Sequence, residues 1–207
     1  INSSTTYINK NGKSNLNREI KLLNELKHEN IVELYDAYND DQYTYLVMEY
    51  LLNYHDLFNM MIIWDKALRN NKYSIDTEYE LTREKISVLK QVAETLEYIH
   101  REGVIHRDLK LENIMYNEKS DHVKIIDFGL SIKAVKDTRS ALTAEYAAPE
   151  LVKVREAAKK QSKRKPYNNK IDIWAFGIVA YLLFTGRYIF GGPTQDRGET
   201  CAAILHY

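Results

Sequence analysis

Between Val104 and Leu130 the chain reads VIHRDLKLENIMYNEKSDHVKIIDFGL. Asp108, Lys110 and Asn113 sit within one short stretch, and Asp127 stands next to Phe128 and the flexible Gly129. Carboxylate and amide oxygens are hard donors that suit a divalent cation, an ammonium suits a phosphate oxygen, and a positioned carboxylate can take a hydroxyl proton. Taken singly, Asp108 and Asn113 read better as turn formers and Lys110 as a solvated cation. Together they have little use in a purely structural loop. The stretch points to the metal and phosphate end of a phosphoryl-transfer site.

Local pattern says what must hold these groups. Ile20, Leu23 and Leu26 recur at helical spacing within 17–26, so an amphipathic helix is expected there. The runs 31–38 and 42–50 are β-rich and are joined by Asn39, Asp40 and Asp41, which predicts an antiparallel hairpin. A short strand is expected near Tyr7 and Ile8. A mainly apolar piece, 51–61, leads into helix and then a polar loop through about Glu80. Thr82 is placed to cap a helix with Ile86, Leu89, Ala93, Leu96 and Ile99 on one face and Gly103 as its stop. Val123–Ile126 is a β-branched run that ends at Asp127. Residues 131–148 carry no period and read as a long ordered or switchable loop. Asp172 is expected to cap Ile173–Thr185, a helix apolar on nearly every side and stopped by Gly186, which belongs in a core.

The 207 residues are 44% hydrophobic, enough to bury a core for one domain or two lobes. Lys plus Arg and Asp plus Glu number 29 each, so any electrostatic steering is local rather than global. One cysteine, Cys201, excludes an internal disulfide framework and fits a reducing compartment. No apolar run reaches the roughly 20 residues of a spanning helix, so no membrane association is expected, and the expected location is cytoplasmic or nuclear. Ile1 is not an initiator methionine, and the sequence reads as a domain incomplete at both ends. Between Val152 and Lys165, seven lysines and arginines face only Glu156, which reads as a solvated loop or as a docking surface for acidic protein or nucleic acid.

HRDLKLEN at His106–Asn113, DFG at Asp127–Gly129 and APE at Ala148–Glu150 resemble, in order, the catalytic loop, metal-binding loop and activation-segment end of eukaryotic protein kinases. The resemblance runs from about Glu19 to the C-terminus. It implies a two-lobed α+β fold, with a small β-rich N-lobe over 1–50 and a mainly helical C-lobe over 51–207. It implies Asp108 as acceptor of the substrate hydroxyl proton, Lys110 on the transferred phosphate, and Asn113 and Asp127 on Mg²⁺. His106 becomes a packing residue stacked with Phe128, Leu23 and Leu34, and Asp172 a structural group bonded to the catalytic-loop backbone. Arg107 resembles the arginine that meets an activation-loop phosphate, which makes Thr138 and Ser140 candidate targets of an upstream kinase.

For ATP, the resemblance implies Met48 at the back of the pocket, the backbone of Glu49, Tyr50 and Leu51 on adenine, Asp56 at the ribose, and Met115 as the floor under adenine, with Leu130 nearby. Glu19 aligns with the helix glutamate whose strand lysine grips the α and β phosphates. The lysine position falls on Thr6, no V-A-I-K precedes it, and the Gly-rich loop is missing. Either N-terminal residues have been lost or the protein is a degenerate kinase acting as a nucleotide-binding or scaffold module. Lys110 and Thr143 follow the Ser/Thr rather than the Tyr pattern. REIKLLNELKHENIVELYD and LLFTGRYIFGG look most like the calcium/calmodulin-dependent and calcium-dependent group. The expected reaction is γ-phosphoryl transfer from ATP with Mg²⁺ to Ser or Thr of protein substrates; nucleic acid is not an expected partner.

Overall fold

The computed structural model describes residues 3–9, 13–70 and 74–207. Its N-terminal part is a three-stranded antiparallel sheet with one helix. Strand β1 (Ser3–Asn9) and strand β2 (Leu34–Asn39) flank strand β3 (Tyr43–Glu49) in the order β1-β3-β2, with Thr6 opposite Leu46 and Leu34 opposite Met48. The expected turn between β2 and β3 forms because the Asp40 carboxylate accepts the backbone N–H groups of Gln42 and Tyr43 at 2.7 and 2.6 Å, a side-chain copy of a backbone turn. Helix α1 (Lys13–Glu25) starts earlier than the sequence pattern suggests and buries Leu16, Leu22 and Leu23 together with Leu26 just beyond it.

Past the linker at 50–54 the chain is mainly helical. Strand β4 (His55–Asp56) leads into helix α2 (Leu57–Asn70), and helix α3 (Ile75–Arg101) follows. Residues 71–73 of the expected polar loop lie outside the described residues; the rest of that loop, from Ile75 to Glu80, is the first part of α3. Thr82 therefore caps nothing: Ser74 holds the N-cap position. The buried stripe of α3 is also rotated from the expected one. Leu81, Lys85, Val88, Val92, Thr95, Leu96 and Ile99 face inward, whereas Ile86 is 56% exposed. The stripe is hidden in the sequence because two of its members are polar. Lys85 is accommodated with its ammonium 5.8 and 5.7 Å from the ring centroids of Trp64 and Phe184, and Thr95 donates to Gln91 O at 2.7 Å. Gly103, at φ +75°, turns the chain out of α3 as expected.

Strand β5 (Val104–Ile105) pairs with strand β8 (Ile132–Lys133), and strand β6 (Ile114–Asn117) joins β4 to strand β7 (His122–Ile125), all antiparallel. These short ladders clamp the ends of the stretch 104–130. Helix α4 (Pro149–Lys159) corrects the expected basic loop: its first half is helix, with Pro149 in the first turn, where no N–H is needed, and with Leu151, Val152 and Val154 buried between the cations. Only 160–165 remains an exposed loop.

Helix α5 (Lys170–Thr185) begins before Asp172, with Asn169 at its N-cap. Asp172 is a buried first-turn residue and not the cap. Ile171, Ala175, Ile178, Val179, Leu182 and Leu183 bury one side of α5, while Ile173, Tyr181 and Phe184 are 41–49% exposed. Helix α6 (Arg197–His206) ends the chain, and the Asp196 side chain caps it. One apolar core runs from α1 and β2 through Phe128 to α3 and α5. A second lies under the activation segment around Ile105, Leu142, Val152 and Ile204. The two-lobed α+β architecture expected from the motifs is present. Among the described residues no helix is long and apolar enough to cross a membrane.

Candidate active site

The turn after β5 carries Asp108, and its shape is imposed from below. Arg107 sits at φ +73°, a left-handed conformation that a non-glycine residue avoids. Asp172, 1% exposed, offsets that strain: its Oδ1 accepts the Arg107 N–H and its Oδ2 the His106 N–H, both at 2.8 Å, with His100 Nε2 also 2.8 Å from Oδ2. His106 is fully buried, its ring edge against Phe128 at a centroid distance of 5.0 Å, and its Nδ1 accepts the Asp108 N–H at 3.3 Å. Burial holds its imidazole below the usual pKa, so it is neutral and structural. Phe128, Leu23 and Leu34 share the same core.

Asp108 is held by three side chains. Thr143 Oγ1 donates to Oδ1 at 2.6 Å, and Lys110 Nζ donates to Oδ2 at 2.7 Å. Asn113 Nδ2 donates to Asp108 O at 2.9 Å and to Oδ2 at 3.2 Å. Burial opposes the charge on Lys110, but the hydrogen bond and negative charge of Asp108 prevail and raise its pKa. The Ile126 N–H donates to Asn113 O at 3.1 Å, which ties the end of β7 to the catalytic turn. Asp127 follows it, with Oδ1 accepting the Gly129 N–H at 2.9 Å. An amide oxygen and a carboxylate are a small, hard donor set, and Mg²⁺ commonly takes only one or two protein carboxylates while keeping waters and phosphate oxygens. Asn113 and Asp127 fit such an ion.

Above these groups a cavity of about 840 Å³ opens between the lobes. Glu19, Met48, Glu49, Tyr50, Leu51, Asp108, Asp127 and Leu130 line it, as expected for a nucleotide; Leu16, Val32, Leu46 and Ile126 complete its apolar wall. That wall escaped the sequence reading because its members come from four separate segments of the chain and carry only ordinary core chemistry. Glu49 is fixed by an ion pair with Lys124 at 2.7 Å, and its N–H is taken by Glu33 O. Among the described residues no acceptor is paired with the Leu51 N–H.

Two expected members are not brought to the cavity wall. Asp56 instead accepts the N–H and side-chain amide of Asn59, at 2.9 and 2.6 Å, capping α2. Met115 stands opposite Asp56 in the β4–β6 ladder, half-buried.

The cation expected beside Glu19 is not found among the described residues. The Glu19 carboxyl is pushed up to about 7 by burial and by the charge of Asp127, against the Phe128 N–H that it accepts. Among the described residues none supplies an ion pair. Thr6 lies opposite Leu46 in register, its side chain outside the described residues, as is Lys10. Arg107, 2% exposed at its side chain, donates to Leu130 O at 3.0 Å, lies 3.7 Å from Asp137, and sits over the Tyr167 ring. Its Nε and second terminal nitrogen have no partner among the described residues. Thr138 is exposed and Ser140 half-buried.

Residues 2–205 match a family described as the protein kinase domain. The chain is 36% identical over 183 residues, 86% of its length, to a calcium/calmodulin-dependent protein kinase type 1 of Caenorhabditis elegans, and 35% identical over 183 residues to that of Caenorhabditis briggsae. It is 35% identical over 186 residues to calcium-dependent protein kinase 5 of Plasmodium berghei (strain Anka). The chain spans 45%, 44% and 29% of these three relatives, less than half of each.

Proposed function

As a member of the protein kinase domain family, the chain carries a site that we propose transfers the γ-phosphoryl group of ATP to serine or threonine hydroxyls of proteins. The observation that carries this reading is the position of Asp108. It lines both the nucleotide-sized cavity and a second cavity of about 550 Å³ on the Thr143 side, where an acceptor would enter. Asp108 takes the acceptor proton as the acceptor oxygen bonds the γ-phosphorus and the bond from phosphorus to the β-γ bridging oxygen breaks. Lys110, held on Asp108, supplies positive charge at the transferred oxygens. Thr143 fixes the carboxylate rotamer, and Asn113 tethers the turn. A bound Mg²⁺ on Asn113 and Asp127 would neutralise phosphate charge. The names of the relatives support the Ser/Thr class and the calcium/calmodulin-dependent and calcium-dependent group.

Arg107 beside Asp137 supports control by an upstream kinase acting on Thr138 or Ser140, since a phosphate there would reach the two unpartnered guanidinium nitrogens. One observation favours a second reading, a nucleotide-binding scaffold without transfer: among the described residues the charge that acts on the carboxyl of Glu19 is that of Asp127, with no cation beside it. The test is incubation with γ-labelled ATP, Mg²⁺ and a general Ser/Thr protein substrate. Label on serine or threonine that disappears in Asp127→Ala supports the kinase. Saturable nucleotide binding with no label at any protein concentration supports the scaffold.

A further inference from the structure

The basic stretch 153–165 has no part in the chemistry above, and the fold divides it. Lys153, Lys160 and 163–165 are exposed to solvent. Arg155 and Lys159, one helical turn apart on α4, line the 550 Å³ cavity together with Arg197 from the first turn of α6. Asp108, Ser140 and Thr143 form the other side. Three cations from two helices thus converge within one cavity, and among the described residues the only carboxylate on its wall is the already bonded Asp108.

Their commitments differ. Lys159 pairs with Glu156 at 2.8 Å but is 55% exposed, and Arg197 donates to the Leu142 carbonyl at 3.2 Å. Arg155 is half-buried and has no hydrogen-bond or ion-pair partner among the described residues. Cations crowded at a partly dry surface repel one another, and a guanidinium with free donors is suited to bind a carboxylate or phosphate with two parallel bonds.

A polypeptide whose hydroxyl reaches Asp108 from the Thr143 side runs through this cavity. A space of that volume is roughly 10 Å across, about three residues of extended chain. We infer that the protein selects acceptor segments bearing an anionic side chain, carboxylate or phosphate, within about three residues of the target serine or threonine, and that Arg155, Lys159 and Arg197 hold it. The inference rests on the phosphoryl-transfer reading of Asp108 for the identity of the acceptor, and on the cavity alone for its charge preference.

The experiment uses peptides with one central serine, identical except for glutamine, glutamate or phosphoserine at each flanking position. Binding is measured by fluorescence anisotropy on versions with alanine at the acceptor, and initial rates on the serine versions. At the favoured position the anionic peptides should bind about tenfold or more tightly than the glutamine peptide, as one charge-assisted hydrogen bond implies. That ratio should fall to about twofold in Arg155→Gln and shrink in Lys159→Gln, while Lys163→Gln, outside the cavity, leaves it in place. The glutamate and phosphoserine arms distinguish a carboxylate from a phosphate. Circular dichroism checks that each variant is folded.

Equal binding of anionic and neutral peptides overturns the inference, as does an anionic preference that survives both Arg155→Gln and Lys159→Gln. An oligonucleotide that binds in an Arg155-dependent way while no peptide shows a preference also overturns it. Should no peptide be phosphorylated while the Arg155-dependent binding ratio holds, the charge selection stands and the transfer reading falls. Phosphorylation of all peptides at equal rates and affinities has the opposite meaning.

Discussion

Asp172→Ala would remove the group that holds the catalytic turn in its left-handed shape. Asp172 is 1% exposed and accepts from the N–H groups of His106 and Arg107 and from His100 Nε2, each at 2.8 Å. Hydrogen bonds to a charged acceptor contribute about 1.5–3 kcal/mol each, and the two backbone donors have no other partner once the carboxylate is gone. Relaxation of Arg107 from φ +73° returns about 1–2 kcal/mol of strain. The net loss is therefore about 3 kcal/mol, a large share of the roughly 5–15 kcal/mol that stabilises a typical domain. With a urea slope near 2 kcal/mol/M, the unfolding midpoint should fall by about 1.5 M. Urea titration followed by circular dichroism measures the midpoint. Amide hydrogen exchange resolved at single residues should show His106 and Arg107, in the turn after β5, losing protection ahead of the amides of α5. A midpoint within about 0.3 M of the parent, on the same urea scale, or unchanged protection of these two amides, refutes the role given to Asp172.

Thr143→Val removes the 2.6 Å donor to Asp108 Oδ1 and should lower kcat about 10- to 100-fold with little change in KM, as expected when a positioning group of the transition state is lost; steady-state phosphorylation rates test it. Glu19, pushed up from 4.5 to about 7, binds its proton more tightly folded than unfolded, so it favours the folded state fully below about pH 4.5 and that stability is lost as the pH rises through about 7. In metal-free protein, Glu19→Gln should remove on the order of 2 kcal/mol of this pH dependence after allowance for solvent screening, as urea midpoints at pH 5 and pH 8 will show. Gly186 lies at φ +65° with nothing within 4 Å of an added Cβ, so Gly186→Ala should cost about 1 kcal/mol through backbone strain alone, read from the same titration. Asp108→Asn should leave the unfolding free energy within about 1 kcal/mol of the parent while abolishing transfer, because the amide oxygen can still accept from Lys110 and Asn113 and the Thr143 hydroxyl can turn to accept from the new NH2.

The site was legible wherever its members are close in sequence. Asp108, Lys110 and Asn113 lie on one turn and Asp127 on the strand end bonded to it, so residue type and spacing revealed them without tertiary information. The β2–β3 turn was legible for the same reason, because Asp40 bonds its own neighbours. The face of α3 was not, because Lys85 and Thr95 interrupt the apolar stripe and find their compensation in Trp64, Phe184 and Gln91. Helix α4 was masked by its charge, and the inward position of Arg155 by the uniformity of the basic run around it. Asp56 was assigned to a ribose from motif position alone, whereas the bond it makes is to Asn59, at the start of the next helix.

The sequence by itself determined the chemical inventory and its order: two acids, an amide and an ammonium in a frame typical of phosphoryl transfer, with the strand lysine not visible. Tertiary structure decided what each group meets. Thr143 reaches Asp108 across 35 residues, Asp172 reaches Arg107 across 65, and Arg197 joins Arg155 from another helix. Glu19 comes close enough to Asp127 for the two carboxylates to interact. Short spacings are fixed by backbone geometry and can be read along the chain. These long-range meetings are set by which apolar faces bury together, and the charges are carried to their partners by that packing.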